Sequence, residues 1–385
     1  GESVALAGDV NGDGFSDVIV GAENFGGALL GGAAIYHGGT EYTAPAPSLS
    51  WGYGTVNGLA GSSVAHAGDV NGDGYGDLIV GVPDATSTLA GEGIVHVHYG
   101  STTGPVAAPN VSLPGGIAGG RFGACVSTAG DVNGDGYADV LIGAPQANGG
   151  SGRVAVHHGS AGGLATTTAW NLNGSAGSEL GASVMTAGDV NSDGYADVIV
   201  AAPANDEVRV YLGTATGLAA TPHITFTPPT TGIRFGASVS TAGDVNGDGY
   251  SDVIIGAPLY SNGQNEEGVI LIYHGSDTGF VDVPDRIIEG ATADAHFGVS
   301  VAGIGDTNGD GYDEVAIGAD LHSAGQLNEG RVAVYRGSPA GITTVLNNLF
   351  SNVDGARMGF SVSELGDVNG DGYADLIAGA PTYTG

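Results

Sequence analysis

One segment recurs seven times with small changes: Gly-x-Ser-Val-x-x-Ala-Gly-Asp-Val-Asn-Gly-Asp-Gly-Tyr-x-Asp-Val-Ile-Val-Gly-Ala-Pro. Its first aspartate stands at Asp9, Asp69, Asp131, Asp189, Asp244, Asp306 and Asp367, with spacings of 60, 62, 58, 55, 62 and 61 residues. A period this steady marks repeated supersecondary units, each of which needs its neighbours to bury an apolar face. Within a copy the local signals are all of β type. A short strand around 237–242 leads into an acidic loop, and the β-branched run Asp252-Val253-Ile254-Ile255 leaves it. A third strand follows, such as Val269-Ile270-Leu271-Ile272-Tyr273, and a weaker fourth returns toward the next copy.

Four antiparallel strands per repeat fit one blade of a propeller. Repeats of an open β-solenoid are usually much shorter. The expected fold is all-β, a seven-bladed β-propeller of four-stranded antiparallel blades forming a single domain over 1–385. The blades fall near 1–58, 59–120, 121–179, 180–234, 235–296, 297–357 and, in part, 358–385. The last copy stops at Gly385, just past the Gly379-Ala380-Pro381 turn, so the seventh blade is incomplete in this chain. A half-blade leaves a bare sheet edge, and the expectation is that more chain, or another segment, supplies the missing strands.

The acidic loops read Asp-x-Asn-x-Asp-Gly-x-x-Asp. The first offers Asp9, Asn11, Asp13 and Asp17, with the backbone carbonyl of Phe15 between the last two. The pattern returns in Asp69, Asn71, Asp73, Tyr75, Asp77; in Asp131, Asn133, Asp135, Tyr137, Asp139; and in Asp189, Asn191, Asp193, Tyr195, Asp197. It returns again in Asp244, Asn246, Asp248, Tyr250, Asp252; in Asp306, Asn308, Asp310, Tyr312, Glu314; and in Asp367, Asn369, Asp371, Tyr373, Asp375.

Oxygen donors at positions 1, 3, 5, 7 and 9 of a tight turn suit a hard cation with six or seven ligands, and no His or Cys joins them. Calcium is therefore expected, up to seven ions, one per repeat. Glycine at the sixth position of every loop points to a turn that requires positive φ. Plain acidic hairpin turns are the rival reading, but three carboxylates within nine residues repel one another without a cation. An EF-hand would carry a bidentate glutamate at position 12; here that position is Val20, Val80, Ile142, Val200, Ile255, Ile317 or Ala378. A dockerin shares the loop signature but places two copies on helices at a much shorter spacing.

At ~1 mM calcium and a dissociation constant of ~0.1 mM, each site would stabilise the fold by roughly 1.4 kcal/mol. Sites this weak stay empty at cytosolic calcium, so the expected setting is extracellular, cell-surface or periplasmic. The formal charge of −33, with eight arginines and no lysine, sets the chain against phosphate backbones and anionic membranes, so no nucleic-acid partner is expected. No apolar run reaches the length of a membrane span, and no membrane insertion is expected. The single cysteine, Cys125, lies in an apolar strand-like stretch and reads as a small buried residue.

These motifs together resemble the FG-GAP repeats of the integrin α-subunit propeller and its bacterial relatives. The Phe-Gly element stands at Phe122-Gly123, Phe235-Gly236 and Phe297-Gly298, and is altered to Ala60-Gly61, Leu180-Gly181 and Met358-Gly359 elsewhere. Gly-Ala-Pro is intact at Gly143-Ala144-Pro145, Gly256-Ala257-Pro258 and Gly379-Ala380-Pro381. The resemblance implies that the acidic loops join the first and second strands of each blade. It also implies a ligand surface on the opposite face of the disc.

The expected function is a calcium-binding, extracellular adhesion or protein-interaction module, with calcium structural and a protein or glycan ligand on the face opposite the loops. The segments that differ most between repeats are 84–92, 205–207, 260–267 and 320–329. The alternative is a lectin-like, carbohydrate-binding propeller or an accessory domain of a secreted enzyme, which would show repeated aromatic platforms. Only Trp51 and Trp170 offer themselves, and core packing accounts for both. No enzymatic activity is expected: catalysis breaks repeat symmetry at one place, whereas His37, His158 and His274 recur at one strand-end position, and His96, His98 and His157 lie in the same strands. The lone histidines His66, His296 and His322 read as surface or packing residues.

Overall fold

The β-branched runs that leave the acidic loops become the second strand of each sheet, and most are buried along their whole length. Asp77–Val82, Asp139–Ala144, Asp197–Ala202 and Asp252–Ala257 have no exposed residue. A strand covered on both faces reads as a continuous apolar run, which is why these segments do not alternate. The computed structural model describes residues 2–23, 31–40, 46–53, 58–228, 230–343 and 345–383; the terminal Gly385 of the sequence reading lies outside them.

The chain forms the expected all-β propeller with four-stranded antiparallel blades. Among the described residues, six sheets have four strands, each in simple sequence order, and a seventh pairs Ser361–Gly366 with Asp375–Gly379. Blade five is representative: Ser238–Gly243, Asp252–Ala257, Val269–Tyr273 and Arg286–Glu289 run up and down, with Val239 opposite Ile255 and Ile255 opposite Leu271. The first strand expected near 237–242 is thus Ser238–Gly243. The innermost strands lie side by side round the axis, and Ser3–Gly8 of the first blade packs against Ser361–Gly366 of the last sheet, so the ring closes. The helical content is limited, among the described residues, to single turns at Ala147–Gly150 and Pro203–Asn205.

The cores lie between blades rather than within them. Between blades four and five, Ile199, Val208, Val210 and Phe226 meet Val239, Val253, Ile255 and Tyr273, and the Phe226 and Tyr273 rings stack at 4.0 Å. Comparable clusters join every other successive pair. The one between the last sheet and the first blade is built on Val18, Leu365 and Val368. Trp51 is buried in this packing and donates from Nε1 to the Tyr53 hydroxyl at 2.6 Å. Trp170 sits edge-on to Tyr211 and donates to the Ala219 carbonyl at 3.2 Å. Both are packing residues.

The recurrent Phe-Gly and Gly-Ala-Pro elements are the two sides of one contact between blades. The Gly298 N–H donates to the Gly318 carbonyl of its own blade at 2.9 Å. Its carbonyl oxygen lies so close to Gly256 of the preceding blade that a Cβ there would sit 2.1 Å away. The same approach recurs from Gly81 to Gly123, Gly143 to Gly181, and Gly318 to Gly359. Phe122, Phe235 and Phe297 are buried beside it.

A methyl group at this point meets backbone that cannot give way. Gly256→Ala is expected to cost about 1–3 kcal/mol through overpacking. Thermal unfolding of the variant against wild type checks it, and an unchanged midpoint would refute the contact.

Candidate metal centres

Each acidic loop leaves the inner strand and turns back into the second strand, in every blade but the sixth at a register shift. In the first, the shift lies between Leu6 and Gly8. Asp9 organises the turn: its Oδ1 accepts from the Gly12 and Asp13 amides at 2.6 and 3.1 Å, and its Oδ2 from Gly14 at 2.8 Å. Asn11 accepts from the Asp13 amide and donates to Asp13 Oδ2 at 2.9 Å, while Asp13 Oδ1 accepts from Phe15. Asp17 lies at the base, fully buried, with one oxygen on the Val10 amide at 3.0 Å and the other on Gly38 at 2.8 Å. The loops at Asp69, Asp131 and Asp244 repeat these bonds closely. So do those at Asp189 and Asp367.

The sixth-position glycine has φ between +86° and +91° in all seven loops, as the sequence predicted. A Cβ there meets nothing within 4 Å, so the requirement is conformational and not steric.

The donors of a loop share one turn, but they are satisfied on backbone amides. Among the described residues, no three His, Cys, Asp or Glu side chains close on a common centre. The donor chemistry nonetheless fits a hard cation. An ionised carboxylate has about four acceptor sites; Asp9 uses three of them, and Asp13 and Asp17 two each.

Among the described residues, no arginine pairs with the buried aspartate of these loops. Burial raises Asp17 to about 6, Asp77, Asp139 and Asp197 to about 7, and Asp252 to about 8, against the pull of two amides on each. The other loop carboxylates push in the same direction as burial. Asp375 is raised in the same way. In the loop of Asp306, Asn308, Asp310, Tyr312 and Glu314 burial raises Glu314 in the same way, but there the fifth-position Asp310 is paired with Arg336.

The seventh-position aromatics do something the sequence reading missed. They were singled out for their carbonyls alone, yet their rings brace the preceding loop. A Cβ at Gly12 would lie 2.6 Å from the Tyr75 ring, and the same holds for Gly72 and Tyr137, Gly134 and Tyr195, Gly247 and Tyr312. The ring of contacts closes where Gly370 meets Phe15. Backbone bonds run alongside: the Gly76 amide donates to the Asp9 carbonyl at 2.9 Å, Ala138 to Asp69 and Ala196 to Asp131 at 3.0 Å, and Ser16 to Asp367 at 3.1 Å. Neighbouring loops are therefore mechanically coupled.

The variable segments 84–92, 260–267 and 320–329 fall between second and third strands, and 205–207 runs from there into the third strand Glu207–Tyr211, all at the opposite strand ends from the acidic loops. Three of them fold round a buried glutamate that the sequence reading did not single out. Glu92 accepts from the Ser87, Thr88 and Leu89 amides at 3.1, 2.6 and 2.9 Å and from Gly116 at 3.0 Å. Burial opposes its charge, but these amides outweigh it and hold the carboxyl down to about 2. Glu329 accepts from Ala324 and Gly325, and Glu267 from Asn262. The available signal was a Glu-Gly pair just before the third strand, at Glu92-Gly93, Glu267-Gly268 and Glu329-Gly330.

The histidines sit in packing positions. His37, His158 and His274 lie at third-strand ends, facing Gly104, Gly217 and Gly341 of the next blade. His66 packs over Gly8, and burial lowers it to about 4. His96 stacks on Tyr53 at 4.7 Å, while His98 and His157 each reach a backbone carbonyl through Nδ1. His322 lies tilted against Phe350. His296 lies 3.6 Å from Asp320 and 3.4 Å from Glu266, and these carboxylates raise it.

A family model described as the FG-GAP repeat matches residues 1–36, 60–98, 122–157, 180–218, 235–273, 297–335 and 361–385, more than half of the chain. Similar proteins include integrin alpha-4 of Xenopus laevis, 35% identical over 213 residues, 53% of this chain and 20% of that protein. Integrin alpha-PS2 of Drosophila melanogaster is 32% identical over 244 residues, 58% of this chain and 16% of that protein. The matched stretches thus span a fifth or less of these relatives' own length. Among solved structures, a protein assigned as a 6-phosphogluconolactonase from Bacteroides uniformis superposes with a TM-score of 0.55 at 13% identity, covering 89% of this chain and 84% of its own. At that identity the likeness speaks for the fold alone. No helix among the described residues is long and apolar enough to cross a membrane.

The Glu92 carboxylate gives a pH-dependent prediction. Its folded pKa lies below the ordinary carboxylate value of about 4.3, so its contribution is full above that value and is lost as pH falls through about 2. Glu92→Gln is expected to cost about 1–3 kcal/mol near neutrality. Denaturant titrations should show the gap to wild type narrowing from about pH 4 downward; a constant gap would refute the assignment.

Proposed function

Because the chain belongs to the FG-GAP repeat family, we propose that it is a calcium-stiffened recognition module working outside the cytoplasm. In this reading it binds a protein partner through the face opposite the acidic loops and has no catalytic role. The observation that carries the reading is the repeated loop with a buried, cation-poor carboxylate at its base, present at Asp17, Asp77, Asp139, Asp197 and Asp252.

Calcium would be held by the first-, third-, fifth- and ninth-position side chains together with the seventh-position carbonyl. Its chemistry there is charge neutralisation of clustered carboxylates. The chain's own part is to hold those oxygens on one turn and to link each turn to the next through the aromatic and backbone contacts. Recognition on the far face is supported by segments that differ between blades while being individually anchored by buried acids. The absence of lysine and the packing positions of the recurrent histidines support the non-catalytic reading.

Two measurements test this. Millimolar calcium is expected to raise the unfolding midpoint and chelation to lower it, each filled loop adding roughly 1.4 kcal/mol at ten times its dissociation constant. An unmoved midpoint would remove calcium from the account. Immobilised chain is then challenged with secreted proteins, matrix extract and glycans, with calcium and after chelation. Calcium-dependent capture of a protein is the expected result; capture of glycans alone would transfer the chain to the lectin class, and no capture would overturn recognition on this face.

A further inference from the structure

The sixth acidic loop contains the expected oxygen donors, but they are already engaged. Asp306 still caps the turn, accepting from the Gly309 and Gly311 amides at 2.6 and 2.8 Å. In the other loops the third-position Asn donates to the fifth-position Asp, as Asn246 does to Asp248 at 2.9 Å. Asn308 has instead swung to Glu314 Oε1 at 2.7 Å. The extra methylene of Glu314 brings its other oxygen to the Thr307 amide and hydroxyl at 2.9 and 2.7 Å.

A cation is already present beside this loop. Arg336 directs its guanidinium onto Asp310 Oδ2, through Nε at 2.8 Å and through a second, shorter bond. Of the five arginine–carboxylate pairs among the described residues, this is the one that involves a loop acid. The residue just before the third-strand glycine turn is His37, Tyr99, His158, Leu212 and His274 in the preceding blades, and Arg336 only here.

We infer that Arg336 serves as the built-in counter-ion of the sixth loop, which takes no calcium, while the remaining loops do. The inference rests on the proposed reading of those loops as calcium sites and sets the count at six of the up to seven ions the repeats offer. Three features change together in this one blade: the ninth-position acid is longer, the asparagine is diverted, and a fixed positive charge sits on the fifth-position acid. A guanidinium delivers its charge without requiring free metal, and a calcium ion on the same carboxylate would have to displace it.

Equilibrium dialysis with calcium counts the ions bound per chain. Asp248→Asn, in the fifth loop, is expected to lose one ion relative to wild type, and Asp310→Asn none. Arg336→His combined with Glu314→Asp gives the sixth loop the oxygen donors of the fifth at positions 1, 3, 5 and 9, with the fifth blade's histidine in place of the arginine, and is expected to gain one. Loss of an ion in Asp310→Asn, or no gain in the double variant while Asp248→Asn loses one, overturns the inference.

If wild type binds no calcium, the reading of the other loops fails on its own. Amide exchange in chelator then decides the role of Arg336: faster exchange at 306–314 in Arg336→His sustains it as the loop's counter-ion, and unchanged exchange overturns it.

Discussion

A four-stranded blade has two apolar faces and can cover neither alone, and the rest of the molecule follows from that constraint. Each face is buried only by the next blade, so the largest clusters straddle blade boundaries. Burial of this kind is worth roughly 25 cal/mol per Å² of apolar area, but only if the backbones approach closely. The Gly-to-carbonyl contact supplies that approach near the inner strands, where Gly256 sits under the Gly298 oxygen. Glycine at this point is a packing requirement: Gly256 has no unusual backbone angle, and the space beside it is already occupied.

The same radial arrangement concentrates charge. Acidic turns leave the inner strands at one end of the disc, so seven clusters of carboxylates are gathered in one ring, and much of the −33 net charge with them. Proximity makes the ring self-repelling, and burial of the ninth-position acids compounds it. The bonds between loops then gain importance. With the Tyr75 ring on Gly12 and the Gly76 amide on the Asp9 carbonyl, a loop that straightens must disturb its neighbour. Neutralising one loop therefore steadies two.

The strands, the repeat boundaries and the acidic donors were legible because they recur, and recurrence needs only the sequence. What escaped it was every role that depends on a neighbour. Tyr137 looked like a carbonyl donor, and its ring was placed against Gly72 only once adjacent loops were seen side by side. Glu92 was one acid among 41, and its four amide partners span residues 87 to 116. Glu314 was read only as a ninth-position donor in register with the aspartates of the other loops. One methylene is enough to bring its carboxylate to Thr307 and draw Asn308 away from Asp310. Arg336 lies 26 residues from its partner, beyond any local motif.

The two ends of the disc solve the buried-acid problem in different ways, and the difference bears on recognition. At the acidic-loop end a buried aspartate receives two amides and remains short of positive charge, so its state depends on what the solvent provides. At the other end Glu92 receives amides on both oxygens and is fully satisfied by the chain itself. Segments anchored in this way can differ in length and composition without losing their shape. A binding surface built from them enters an encounter with less conformational entropy left to lose. The blades can therefore vary where a partner would touch them while staying uniform where they must pack.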